Sequence, residues 1–150
     1  EERAKAAEEA RKQAEEERKK AQELLEEMRL QREATERARD EAEKAKEEIL
    51  LQKTKVAKGK LKSAKAVGKG KIKITWKKVK GASGYEISYS TNRKFKNEKV
   101  KKAGQKKNAV QISKLKGRKT YYVRVRAYKK VGDATKYGKY SKTVRMEVKK

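Results

Sequence analysis

The sequence predicts an all-β sandwich over residues 60–150, preceded by a long N-terminal α-helix over residues 1–52. Up to Gln52 the chain lacks Gly and Pro and consists mainly of Glu, Ala, Lys, Arg and Gln, which are strong helix formers. From Lys60 onward, short segments alternate apolar and polar residues and are separated by Gly-containing turns. That pattern is typical of β-strands packed in two layers. Residues 53–59 are the predicted linker between the two parts.

The helical segment carries a heptad pattern. With Ala7 at position a, ten of the fourteen a and d positions are apolar, and the flanking positions are strongly charged. A parallel, in-register pair of such helices would set Glu27 against Arg32 and Glu41 against Lys46 of the second copy. These contacts between g and e positions are attractive and favour a coiled coil.

A single solvated helix explains the same segment. Half of the a and d positions are alanine, which buries little surface, and large side chains such as Leu24, Leu25 and Met28 are few. Six pairs of acidic and basic residues at i,i+4 spacing each stabilise an isolated helix by about 0.2–0.5 kcal/mol. The sequence leaves both alternatives open, a weak parallel homodimer or a helical monomer.

The alternation is clearest in two predicted strands of the second part. In residues 71–76, Ile72, Ile74 and Trp76 fall on one side and Lys71 and Lys73 on the other. In residues 121–127, the apolar side contains Tyr121, Val123, Val125 and Ala127, and the polar side contains Tyr122, Arg124 and Arg126. Successive side chains of a strand point to opposite faces, so we expect the apolar sets, including Trp76 and Tyr121, to form the core.

Three motifs in this part resemble a fibronectin type III module. Residues 74–90, with Trp76 and the run Tyr85-Glu-Ile-Ser-Tyr89, are similar to its second and third strands. Residues 115–127 resemble its Leu-x-Pro-Gly-x-x-Tyr-x-Val-x-Val-x-Ala signature, with Lys116 in place of the proline. Residues 137–142 resemble the start of its last strand.

The resemblance implies an immunoglobulin-like sandwich and several residue roles. Tyr121 would form the tyrosine corner, in which its hydroxyl bonds to backbone upstream. Residues 78–84 and 131–138 would be the ligand-contacting loops, which makes Asp133 and Tyr137 candidate contacts. The lysine-rich composition is similar to that of modules in surface proteins of Gram-positive bacteria, which implies an extracellular or cell-surface location.

The chemistry of the side chains argues against an enzyme. The chain has no Cys and no His, and residues 51–150 contain only four acidic residues, Glu86, Glu98, Asp133 and Glu147. We expect Glu86 and Glu147 to point outward from strands, and the other two to lie in separate connections. No catalytic triad, paired carboxylates or metal-ligand cluster is expected, and no cofactor. No apolar run approaches the length that a transmembrane helix needs.

The charge is divided unevenly along the chain. Residues 1–50 hold 13 basic and 17 acidic residues, whereas residues 51–150 hold 34 basic and 4 acidic residues. Of these 34, 29 are Lys, which acts as a point charge, and only 5 are Arg, which has the planar fork suited to specific readout. The second part should therefore bind polyanions such as wall polymer, sulfated glycan or nucleic acid. The candidate contacts are Lys71, Lys73, Tyr122, Arg124 and Arg126.

The resulting functional prediction is a non-catalytic structural and adhesive segment of a cell-surface or secreted protein. A helical stalk would present a basic module that binds polyanions or another protein, or serves as a spacer. The alternatives are an intracellular polyanion- or nucleic-acid-binding protein and an artificial fusion of helix and module. The chain begins without Met, and we expect it to be a segment of a longer protein.

Overall fold

The computed structural model describes residues 1–149, which divide into two compact units with a boundary between Lys46 and Glu47. The first unit is helical almost throughout, and it belongs to an α-helix, α1, that covers Glu2–Lys53. Glu2 in the first turn and Lys53 in the last turn both complement the helix dipole. None of the residues of α1 is buried.

The surface of α1 shows the features on which both interpretations of the helix rest. Ion pairs at i,i+4 spacing join Glu8 to Lys12 at 3.1 Å and Glu16 to Lys20 at 2.8 Å. The large apolar side chains Leu24, Leu25, Met28, Leu30, Ile49 and Leu50 are all at least half exposed. Homodimer and monomer therefore both stay predictions. No helix within residues 1–149 is long and apolar enough to cross a membrane.

The second unit contains eight β-strands. They are β1 Lys60–Gly68, β2 Lys71–Lys77, β3 Gly84–Ser90, β4 Lys99–Gly104, β5 Ala109–Ile112, β6 Thr120–Val131, β7 Ala134–Tyr137 and β8 Val144–Glu147. Strands β1, β2 and β5 form one antiparallel sheet in the order β1-β2-β5. The second sheet has the order β4-β3-β6, and β6 is long enough to pair with β8 through its first residues and with β7 through its last.

The two sheets bury their inner faces against each other. The apolar side of β2 (Ile72, Ile74 and Trp76) packs in one cluster with residues of β3 and β6 such as Ile87 and Val125. Trp76 is 1% exposed, and its ring centroid lies 5.3 Å from that of Tyr85. The predicted fold class, an all-β sandwich with a long N-terminal helix, is confirmed.

Two tyrosine hydroxyls fix connections at the margins of the core. The backbone N–H of Lys116 donates to the hydroxyl of Tyr121 at 3.2 Å, which is the geometry that the tyrosine corner requires. The N–H of Val79 donates to the hydroxyl of Tyr85 at 2.8 Å. Each hydroxyl satisfies a backbone donor of a connection that has no strand partner there.

Candidate functional site

The five predicted polyanion contacts lie on two different sheets. Lys71 and Lys73 belong to β2 of the three-stranded sheet, whereas Tyr122, Arg124 and Arg126 belong to β6 of the second sheet. Since the inner faces of the sheets pack together, these two groups point to opposite sides of the sandwich. The five residues therefore do not form one surface. Alternation along a strand tells inward from outward but does not tell one outer face from the other, so the sequence alone could not separate the two groups.

The outer face of the three-stranded sheet is an exposed lysine surface. Lys60 pairs with Lys77 and Lys65 with Lys73 in the register of β1 and β2, and partners in register project to the same side. We call five exposed lysines of this side, Lys60, Lys65, Lys71, Lys73 and Lys77, the lysine face. The strands β1, β2 and β5 contain no acidic residue.

The lysine face has an electrostatic cost. Like charges directly opposite each other on neighbouring strands are destabilising, by a few tenths of a kcal/mol to about 1 kcal/mol per pair. Between the two lysine pairs, the hydroxyls of Ser63 and Thr75 form a hydrogen bond of 2.7 Å, which joins the strands without adding charge. The positive charge of the lysine face is thus compensated by solvent and by anions that approach it.

The arginines of the second sheet are bound by carboxylates. Arg126 donates to Glu86 Oε1 from Nη2 at 2.5 Å and from Nε at 3.0 Å. Arg124 donates from Nη2 to Glu98 Oε2 at 2.9 Å. Glu86 points outward as predicted, yet it is only 5% exposed because neighbouring side chains cover it. Arg124 and Arg126 are therefore poor candidates for a free cationic patch.

Aromatic rings complete the cover of these arginines. The guanidinium carbon of Arg124 lies 3.8 Å from the ring centroid of Phe95 and 4.0 Å from that of Tyr140. The guanidinium carbon of Arg126 lies 3.9 Å from the centroid of Tyr137 and 4.5 Å from that of Tyr140. We call this alternating arrangement of three rings and two guanidinium groups the arginine–aromatic stack. Such contacts are attractive because the cation faces the electron-rich side of the ring.

Two ionisable groups of this network have shifted pKa values. The hydrogen bond from the buried Ser88 hydroxyl, supported by Arg124, lowers the pKa of Glu98 below its ordinary value. Partial burial raises the pKa of Tyr140, whose hydroxyl donates to Glu86 at 3.2 Å. Both shifts keep the groups in the protonation state that the network uses, an ionised Glu98 and a neutral Tyr140.

Of the two predicted loop contacts, Tyr137 makes a contact through its ring and Asp133 through its backbone N–H. Tyr137 ends β7 and belongs to the arginine–aromatic stack. Asp133 lies in the turn between β6 and β7, where Glu47 Oε1 accepts hydrogen bonds from the backbone N–H groups of Asp133 at 2.7 Å and Ala134 at 3.0 Å. Gly132 adopts a φ of 56° there, and a Cβ atom at this position would collide with the Glu47 carboxylate. The sequence contained no signal for this contact.

Within residues 1–149, no group of three or more Asp, Glu, His or Cys side chains could hold a metal ion. The second unit combines an immunoglobulin-like sandwich with a lysine face on strands that contain no acidic residue. The model of the fibronectin type III domain family matches residues 60–144. The chain belongs to the fibronectin type III family.

Solved structures with the same fold include two contactin fragments. The chain is 22% identical to a crystal structure of the chicken CNTN1 FN1–FN3 domains, with a TM-score of 0.56, and the match covers 64% of this chain and 33% of that one. It is 16% identical to the solution structure of an fn3 domain of human contactin 1, with a TM-score of 0.53, covering 65% and 79% of the two chains. The match thus spans about a third of the chicken structure.

A β-1,2-glucanase from Parabacteroides distasonis also contains this fold, at 19% identity and a TM-score of 0.54. The match covers 65% of this chain and 13% of the glucanase. At these identities the three likenesses show the fold alone. Comparison with curated protein sequences gives no significant match.

Proposed function

We propose that this chain is a non-catalytic adhesive segment of a cell-surface or secreted protein, and that its fibronectin type III module binds polyanionic polymers through the lysine face. The observation that carries the proposal is the pairing of exposed lysines across β1 and β2 on strands that contain no carboxylate. A bound polyanion would relieve the repulsion within each pair.

The chemistry of the face favours broad recognition of anionic polymers. Lysine ammonium groups are strongly hydrated point charges on flexible stems, and they lack the planar fork that reads bases or sulfate groups. The positions lie along two antiparallel strands, so they can follow a linear polymer rather than enclose a small ligand. Wall polymer, sulfated glycan and nucleic acid all meet this description. The extracellular setting is proposed from the resemblance to lysine-rich modules of bacterial surface proteins.

The helix would contribute by self-association. Its exposed residues Leu24, Leu25 and Met28 lie close together in sequence and are uncovered in a single chain. A second copy pairing along this stretch would bury them and would join two modules in one particle. Two modules on one polymer bind with higher overall affinity than either alone, because the second contact is intramolecular.

Titrations of the full chain with heparin, glycerol-phosphate teichoic acid and duplex DNA test the proposal. We expect all three to bind, with log K falling linearly against log salt; for duplex DNA the slope should be about −0.9 per phosphate neutralised. With about five contacts, affinity should fall by about two to three orders of magnitude between roughly 50 and 200 mM salt.

A matched pair of triple variants locates the surface. Replacing Lys65, Lys71 and Lys73 by Gln should weaken all three polymers in parallel. Replacing Lys99, Lys102 and Lys129 of the second sheet by Gln removes the same charge and should have a smaller effect. Salt-resistant binding would contradict the proposal. Strong preference for one DNA sequence would favour the nucleic-acid alternative, and no binding at low salt would leave the module a spacer.

A further inference from the structure

A cleft opens on the outer face of the second sheet. It has a volume of about 600 Å³ and is lined by Arg93, Tyr122, Thr143 and Arg145. Tyr122 of β6 and Arg145 of β8 are partners in the antiparallel register, so their side chains project to the same face. Arg93 comes from the connection between β3 and β4, and Thr143 directly precedes β8. Three separate segments thus contribute polar side chains to one cavity, which we call the arginine cleft.

The arginines of this cleft differ from those of the arginine–aromatic stack. Arg124 and Arg126 are paired with Glu98 and Glu86. Among the residues that the structure describes, no ion pair is formed by Arg93 or by Arg145. Glu147 follows Arg145 by two positions in β8 and therefore lies on the same side of that strand, yet no ion pair joins the two. Within residues 1–149, the cleft is therefore lined by two arginines whose charge no carboxylate neutralises through an ion pair.

We propose that the arginine cleft binds a tetrahedral oxyanion, the phosphate or sulfate group of an ester. A guanidinium group offers parallel N–H donors that match two oxygens of such a group, and charge-assisted hydrogen bonds of this kind are among the strongest in proteins. The hydroxyls of Tyr122 and Thr143 supply further donors. A planar carboxylate has only two oxygens that can accept hydrogen bonds. The cleft offers two guanidinium groups and two hydroxyls from three segments, and this larger set of donors favours a phosphate or sulfate group.

The site is separate from the lysine face, which lies on the other sheet, and it stands whether or not that face binds polymers. The two surfaces also differ in kind. The lysine face offers point charges along two strands, whereas the arginine cleft is a concave site with planar, directional donors. It would hold one anionic group at a defined position, and through that group it would select ligands that carry phosphate or sulfate esters.

Nuclear magnetic resonance titration of the ¹⁵N-labelled full chain tests the inference. The probes are sodium sulfate and sodium phosphate at constant ionic strength, followed by a sulfated heparin disaccharide and glycerol 3-phosphate. We expect saturable shifts of the backbone amides of Tyr122, Thr143 and Arg145 and of the Arg93 side-chain Nε–H. The two ester probes show whether sulfate or phosphate is preferred, and saturation by either supports the site.

Two charge-matched double variants provide the control. Arg93→Gln with Arg145→Gln should weaken binding at least about tenfold, in line with the loss of charge-assisted contacts worth more than about 1.4 kcal/mol. Lys71→Gln with Lys73→Gln removes the same charge from the other sheet and should leave the cleft shifts unchanged. Equal losses in both variants, or shifts that grow linearly without saturation, would overturn the proposal.

A single substitution tests the site without removing either arginine. Glu147→Gln takes away the carboxylate on the same side of β8 and should strengthen sulfate binding. This variant decides the question if the double arginine variant does not fold, because Glu147 is exposed and forms no ion pair among residues 1–149. Unchanged or weaker sulfate binding by Glu147→Gln would count against the site.

Discussion

Arg126 and Glu86 meet at one oxygen atom. The Nε and Nη2 atoms of Arg126 lie 3.0 and 2.5 Å from Glu86 Oε1, and the hydroxyl of Tyr140 donates to the same oxygen at 3.2 Å. Three donors thus compensate a carboxylate that is almost completely withdrawn from water. Arg124 and Arg126 of the second sheet are thus paired with carboxylates, whereas the strands that carry the lysine face contain no acidic residue.

Removing Arg126 should destabilise the module strongly. Arg126→Met leaves the Glu86 carboxylate covered and without its main partner, and breaking a buried pair in this way costs about 3–5 kcal/mol. We expect about 2–3 kcal/mol, since Arg126 itself remains a quarter exposed. Urea denaturation of both proteins measures the difference. The double variant Glu86→Leu, Arg126→Met should recover most of the loss, and an equally unstable double variant would contradict this account.

Substitutions in the core should separate packing from hydrogen bonding. Trp76→Ala should lower the free energy of unfolding by about 3–5 kcal/mol, the range for large buried aromatic residues. Tyr121→Phe and Tyr85→Phe each remove one hydroxyl that accepts a backbone N–H, and each should cost about 1–2 kcal/mol. Thermal and chemical denaturation of the three variants provide the measurement. A loss below about 1 kcal/mol for Trp76→Ala would show that this residue is not part of the core.

The pKa of Glu98 predicts an acid-dependent contribution to stability. The Ser88 hydroxyl and the Arg124 guanidinium hold this pKa below its ordinary value of 4.5, so the unfolded chain binds the proton more readily. The contribution is therefore complete above that ordinary value and is lost as the pH falls through the lowered pKa. The difference in unfolding free energy between the parent and Glu98→Gln should be largest near neutral pH and should shrink in acid.

A second variant identifies the cause of the Glu98 shift. Ser88→Ala removes the donor with the largest effect and should move the pKa of Glu98 back toward its ordinary value. The titration of the Glu98 side-chain carboxyl, followed by ¹³C resonance, measures this directly. An unchanged titration in Ser88→Ala would show that the arginines, Arg124 and Arg126, rather than Ser88 lower the pKa of Glu98.

The fold could be predicted from the sequence because the core imposes a period of two. Ile72, Ile74 and Trp76 had to face one way if they were to be buried together, and the same reasoning placed Val123 and Val125 inward. Nothing comparable distinguishes the two outer faces, because solvent accepts lysine and arginine on either. The assignment of Lys73 to one sheet and Arg124 to the other required the pairing of strands that are far apart in sequence.

The aromatic partners of Arg124 could not be predicted from the sequence for a related reason. Phe95 and Tyr140 come from irregular connections, which have no periodicity from which a direction could be inferred. Their contacts with Arg124 depend on how these connections fold back over the sheet. The arginine cleft could not be predicted from the sequence either. Arg93 and Arg145 are 52 positions apart, and only the fold brings them to the same cavity.

The exposed apolar residues of α1 predict weak self-association of the full chain. Sedimentation over a wide concentration range should show a dimer at high concentration, since burial of Leu24, Leu25 and Met28 removes apolar surface from water. Leu24→Lys with Met28→Lys should abolish the dimer, whereas Arg18→Lys, which keeps the charge, should not. A monomer at every concentration would decide for the solvated single helix.

The lysines of the lysine face should lower the stability of the free module and strengthen its binding to polyanions. Lys65 and Lys73 stand opposite each other on β1 and β2, so their mutual repulsion should lower the stability of the free module. Lys65→Gln with Lys73→Gln should therefore raise the free energy of unfolding by about 0.2–1 kcal/mol at low salt, and should weaken heparin and DNA binding. High salt should remove most of the gain, because exposed charges are screened within about 10 Å at 0.1 M ionic strength.

Lys106→Gln, in an exposed turn, is the control and should change neither property by as much. A variant that gains no stability at low salt would show that solvent already compensates the pair, and the case for a polymer at this surface would lose its physical basis.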